Sequence, residues 1–445
     1  IPHTIQPTKE LPPIKQPVVI DGTTEPSYVL YGHPVVEIDG SRAPANASGL
    51  RITGGGSEIR GLVINRFGTR GVSSAGGSAI VIEKIGGNVI EGNYLGTDVF
   101  GHGDRGNRLA GVSIQRSSDN RIGGPAGEQR NVIAANGTGV AINGQGGVAT
   151  RNAVIGNYVG VDAEGDDKLG NEIGVDINQA AVNTIGGPGA GNVISANAGA
   201  GVEVRGTGSQ RNVIAGNLIG TDAAGTASFG NFRGVFFTSG ALDNVVGGTA
   251  TGAGNLIAFN SETGVLVPET GKQRSVQIEI LGNSIHSNGI PGLSGLGIDL
   301  TPEGGVTPND ATDADLGGNR LMNFPVLTSA VSTATGTTIE GTLTSEASRG
   351  YRVELFASPT CDANGHGEGR DFLGAQSVTT DAARNGTLSF TAAASVTPGW
   401  FITATSTEEA FGNTSEFSAC LAVNAPPFVQ ADGGSLTLGG EPWYL

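Results

Sequence analysis

Along much of the chain a glycine opens a short alternation of apolar and variable residues. After Gly174 it reads Val175, Asp176, Ile177, Asn178, and after Gly201 it reads Val202, Glu203, Val204, Arg205. The same opening recurs at Gly111, Gly139, Gly234, Gly264 and Gly297. Period two predicts half-buried strands, with one set of side chains inward and the other outward. Runs such as Asn212-Val-Ile-Ala-Gly-Asn-Leu-Ile-Gly predict further short strands, being too brief and glycine-rich for helices.

A longer period contains this one. Asn93-Tyr-Leu-Gly-Thr-Asp98, Asn157-Tyr-Val-Gly-Val-Asp162 and Asn217-Leu-Ile-Gly-Thr-Asp222 each start a glycine-rich loop, and their aspartates lie 64 and 60 residues apart. The glycine openings from Gly111 to Gly297 are 27 to 35 residues apart, so each long repeat holds two turns of chain. Strands that recur in one order pair with their counterparts one turn on, roughly 4.8 Å away, and wind into a solenoid of parallel sheets. Asn136, Asn197, Asn260 and Asn288 each follow a short apolar strand, where stacked amides can hydrogen-bond along the axis. The three repeating aspartates read as turn residues in the same way.

On these paired motifs, residues 15–300 resemble the right-handed parallel β-helix repeat proteins of secreted bacterial origin. The resemblance implies the fold. It says little of function, because such helices serve lyases, hydrolases, adhesins and stalks alike.

After residue 300 the texture changes. Thr338-Ile-Glu-Gly-Thr-Leu, Tyr351-Arg-Val-Glu-Leu-Phe, Gly386-Thr-Leu-Ser-Phe and Trp400-Phe-Ile-Thr-Ala-Thr alternate as antiparallel strands. The expected order is therefore a parallel β-helix over 1–300, an acidic linker over 301–324, an immunoglobulin- or fibronectin-like β-sandwich over 325–423, and a tail over 424–445. The phrase Gly412-Asn-Thr-Ser-Glu-Phe-Ser418 resembles the last strand of domains appended to such β-helices. The tail from Phe428 reads as a fresh hairpin, similar to the strands that open (β/α)₈ glycoside hydrolases. The open ends of the solenoid call for capping, because bare sheet edges invite self-association; the sandwich is placed to cover the last coil.

Composition narrows the partners. A net charge of −16 argues against nucleic acid, and no apolar run approaches a membrane span. Cys361 and Cys420 are the only cysteines; a disulfide, fitting a secreted or cell-surface protein, stands against a pair of free buried thiols. The missing initiator Met and leader suit a mature or trimmed form.

Two constellations carry candidate chemistry. Asn309, Asp310, Asp313, Asp315 and Asn319 gather carboxylates and amides on a D-x-D-x-G run that suits Ca²⁺, although the EF-hand glutamate is lacking. The alternative is a solvated acidic linker with turn-capping aspartates. The outward positions of successive strands read Ser113, Ala141, Asp176, Glu203, Phe236, Leu266, Asp299, and beside them Gln115, Asn143, Asn178, Arg205, Thr238. Asp176 and Glu203 thus fall side by side with Arg205 adjacent, the spacing a retaining glycosidase needs for nucleophile and acid/base. Asn178 and Phe236 would then touch substrate. On an exposed strand face, however, one Asp, one Glu and one Arg are most often an ordinary charged surface.

A lyase base is less supported: Arg66, Arg70 and Lys84 lack an acidic cluster beyond Glu83 and Glu91, His102 and His286 read as isolated, and His366 sits in a Gly-His-Gly turn of the second domain. Up to residue 300 there is no Trp and only four Tyr, which weighs against a sugar cleft built on ring stacking. The leading expectation is a non-catalytic extracellular or surface module that presents or binds a polymer or partner. The alternative is a polysaccharide-active enzyme or its accessory module, acting through Asp176 and Glu203.

Overall fold

The computed structural model describes residues 3–68, 76–270, 273–289, 295–301 and 304–426, and the backbone of three strands in the tail. Residues up to Asp299 form a parallel β-solenoid of about nine turns. Its walls are three sheets. One runs from His3–Ile5 to Ser284–His286, one from Leu50–Ile52 to Ile298–Asp299, and one from Val19–Asp21 to Val276–Leu281. Each strand pairs in parallel with its equivalent one coil on, as Ile173–Asn178 does with Ala200–Arg205.

The inward positions stack in columns. Ile82, Ile114, Ile142, Ile177, Val204 and Phe237 follow one another in register, and all are fully buried. The glycine before each such strand has a steric reason. A Cβ at Gly174 would sit 2.4 Å from the Gly201 carbonyl oxygen and 2.7 Å from Ile194 Cγ2, so no larger residue fits.

Asparagines line the corners in three ladders. The first runs Asn88, Asn120, Asn152, Asn183, Asn212, Asn244; the second Asn93, Asn131, Asn157, Asn192, Asn217, Asn255, Asn283; the third Asn107, Asn136, Asn171, Asn197, Asn231, Asn260, Asn288. Every rung is buried. In each, the amide Nδ2 donates to Oδ1 of the next asparagine; Asn157 donates to Asn192 from Nδ2 at 3.0 Å and from its backbone N–H at 2.9 Å. In most rungs the other amide proton returns to a carbonyl of the preceding coil, as from Asn192 to Val154 O at 2.8 Å, while Asn88 and Asn120 turn it to Ile85 O and Ser117 Oγ of their own corner. All rungs point one way, so the last coil is left holding donors.

The C-terminal domain takes those donors. It has a three-stranded sheet (Val326–Thr333, Gly336–Thr344, Asn385–Ala392) and a four-stranded one (Asp371–Thr379, Gly350–Ser358, Phe401–Glu408, Leu421–Ala422), antiparallel and sharing one core around Ile339, Leu355 and Ile402. Cys361 and Cys420 are disulfide-bonded. Phe356 and Phe417 leave that core and join the solenoid's own.

Around them, side chains accept from the last coil. Glu368 takes the Asn288 N–H at 3.0 Å and its Nδ2 at 2.7 Å. Glu354 takes Gly282 N–H, Glu416 takes Leu300 N–H, and Asn413 and Thr414 take those of Gln277 and Ile280. Asn319 supplies a further rung, accepting from Ile278 N–H at 3.0 Å. The acidic segment over 301–324 is thus partly folded into this junction. Phe428 and several tail residues lie outside the described residues; Val429–Asp432, Ser435–Leu438 and Glu441–Trp443 pair antiparallel.

Asn192→Ala removes an acceptor from two buried donors of Asn157, and should cost about 2–5 kcal/mol in chemical unfolding of the full chain. The junction also makes stability depend on pH. Burial pushes Glu368 up to about 8 and Asp299 up to about 7. Between the unfolded values, 4.5 and 3.8, and these folded ones, the native chain holds protons that the unfolded chain has released. Stability therefore falls as pH rises through that window. The unfolding midpoint should be higher at pH 5 than at pH 8, with a shallower decline in Glu368→Gln; equal slopes would show that Glu368 is not a source of it.

Candidate functional site

The sheet that ends at Asp299 carries the outward row in the register read from the sequence. Ser113, Ala141, Asp176, Glu203, Phe236, Leu266 and Asp299 are successive neighbours, as are Gln115, Asn143, Asn178, Arg205 and Thr238. Asp176 is mostly buried and is held by Arg205, whose Nε and Nη2 donate to its two oxygens, each at 2.8 Å. Such a bidentate grip fixes the carboxylate's orientation and spends its charge.

Glu203 differs from its neighbour. It is half-buried and makes no side-chain hydrogen bond among the described residues. Burial raises its pKa, the Asp176 charge adds to that, and Arg205 and Arg233 pull it back. Arg233 lies over the Phe236 ring at 4.6 Å and pairs with Glu262. The face thus brings together all five residues of the expected site, with one acid locked in an ion pair and the other half-buried with its pKa raised.

Two concavities, of about 510 and 490 Å³, share Arg108, Leu109, Gly137 and Glu172 and lie over the earlier coils. Ser113, Gln115 and Ala141 line the larger, the Arg51–Glu83 ion pair (2.7 Å) also borders it, and its lining reaches Ile173, the first residue of the Asp176 strand. Asp176 and Glu203 are not in the lining of either one.

The repeating aspartates build turns, as expected. Asp162 Oδ1 accepts from Gly165, Asp166 and Asp167 N–H, and Asp98 and Asp222 act alike in their loops. His102 is not isolated. Its Nδ1 is 3.1 Å from Asp162 Oδ2 and its Nε2 3.4 Å from Glu164 Oε2; burial lowers its pKa, but the neighbouring acids outweigh that and raise it. Linear separation hid the contact, because the long loops project from alternate coils and stack over the short one between. Arg66 likewise has acids beside it, 2.7 Å from Asp39 and 3.9 Å from Glu37 of the coil before. Arg70 lies outside the described residues.

The candidate calcium ligands divide. Asn309 pairs with the Phe324 backbone through both amide atoms, and Asp310 accepts from Thr312 and Asp313 N–H. Asp313 is buried, accepts from Asn323 N–H and Ser345 Oγ, and is pushed up to about 6 by its burial. Asp315 is half-buried, while Asn319 is built into the solenoid's end through both amide atoms. Among the described residues the acid and histidine groups that converge as a set of three are His102, Asp162 and Glu164.

No protein-family model matches the chain, and no curated protein matches it significantly. The couplings on the face are directly measurable: in carboxyl-detected NMR titration Glu203 should titrate above 4.5, lower in Asp176→Asn and higher in Arg205→Gln.

Proposed function

We propose that the chain is a non-catalytic extracellular or cell-surface module in which a stiff solenoid presents or binds a polymer along its outer sheet face. The observation that carries this reading is the Arg205 grip on Asp176: one acid of the pair on the face is spent on a structural ion pair, which takes it from any catalytic partnership with Glu203. The coils are regular, hydrogen-bonded through three buried ladders and covered at the C-terminal end, which suits a spacer. The disulfide fits an oxidising compartment, and no helix among the described residues is long and apolar enough to cross a membrane.

A polysaccharide-active enzyme is the second reading. Its support is Glu203, a half-buried carboxyl with a raised pKa beside a second acid, the division of labour of an acid/base pair. Arg205 would then orient substrate, with Asn178 and Phe236 as further contacts.

Purified chain and an Asp176→Asn/Glu203→Gln double variant, screened for cleavage and binding of acidic and neutral polysaccharides, separate the two. The module reading expects polymer binding and no product from either protein. Product released by the parent alone would replace it with the enzyme.

A further inference from the structure

A cavity of about 370 Å³ opens where the last coils meet the sandwich, lined by Thr226, Phe259 and His286 of the solenoid and by Asp362, Glu368 and Arg370 of the second domain. Neither part forms it alone. Its volume is at the small end of ligand pockets, roughly 300–1,000 Å³, and junctions between domains are where such pockets concentrate.

The lining is unevenly satisfied. Glu368 commits both oxygens to Asn288. Asp362 makes no side-chain hydrogen bond among the described residues, and its Oδ2 is buried without a partner. A carboxyl in that position costs stability, so its place is not explained by the fold. Burial alone pushes it up to about 6. Arg370 is exposed, and among the described residues its ion-pair partner is Asp371 at 3.7 Å. His286 packs edge-on to Phe259 at 5.9 Å, and burial together with the Arg370 charge lowers its pKa.

These groups select a ligand by exclusion. An anion would meet the Asp362 carboxyl, with Glu368 already committed to Asn288. A cation would meet Arg370, whose charge reaches His286, and the acids here are not among the converging three-group sets of the described residues. What remains is a neutral molecule rich in hydroxyls, with an apolar face for Phe259. We propose that this junction cavity binds a sugar unit, with Asp362 accepting from ring hydroxyls, Arg370 donating to sugar oxygens, and the Phe259–His286 pair forming the apolar wall. This deepens the polymer-binding reading and rests on it for the class of polymer, a polysaccharide.

The test is titration of the full chain with a panel of neutral mono- and disaccharides at millimolar concentration, followed by NMR shifts, alongside Asp362→Asn and Arg370→Gln. At least one sugar should bind saturably, at least tenfold more weakly in each variant. Asp362→Asn removes an unpaired buried charge, so its unfolding midpoint should equal or exceed the parent's, and lost binding would not reflect lost fold. No saturable binding by any sugar, or equal binding by the variants, overturns the proposal. Polysaccharide binding that depends on Asp176 and Glu203 but not on Asp362 would sink it and leave the module reading standing. Sugar binding that depends on Asp362, with no polymer held by the sheet face, would support the cavity and remove the module reading.

Discussion

A buried asparagine amide that accepts from the coil before and donates to the coil after is the contact on which the solenoid depends. At every corner the chain turns without regular secondary structure, and its polar groups would be stranded in a dry interior. The amide solves this because it carries an acceptor and two donors on a short stem. Asn192 accepts two bonds from Asn157, donates one to Asn217 and returns one to Val154. The same unit repeated along three edges holds the coils in register, and the stacked aliphatic columns fill the space between.

That arrangement has a direction, and the direction explains the second domain. A row of amides all donating one way ends in unmet donors, and a buried donor left without an acceptor is costly. Glu368 is that acceptor for the ladder that ends at Asn288, Glu354 and Glu416 accept the backbone N–H groups of Gly282 and Leu300, and Phe356 and Phe417 close the apolar core. The cost is burial of carboxyls with few cations nearby: Arg352 pairs with Glu354, but Glu368 and Glu416 have no salt bridge among the described residues. Their pKa values rise in consequence, and the junction becomes the acid-tuned part of the molecule.

The outer face shows how a repeat can carry chemistry without disturbing its frame. Inward positions are held to small variations of Ile, Val and Phe by packing, whereas outward positions run from Ala141 to Asp176 to Phe236 with the backbone unchanged. Function on such a scaffold is written in one row of side chains, and neighbouring coils decide the charge state of each.

From sequence alone, the period of two, the glycine openings and the long repeat were enough for a parallel solenoid followed by antiparallel sheets, and even for the pairing of Asp176 with Glu203. Parallel stacking in register turns position in the repeat directly into spatial neighbours, so linear spacing carries three-dimensional information. The two cysteines were legible for the same simple reason, being the only pair. Elsewhere that rule breaks down. The Arg205 grip depends on side-chain rotamers, His102 meets Asp162 only because loops of alternate coils stack, and Asn319 leaves its acidic phrase to serve the end of the solenoid. The cavity at Asp362 exists only where two domains with no common period meet. Such contacts follow from docking, which has no repeat to announce it, and tertiary structure alone decided them.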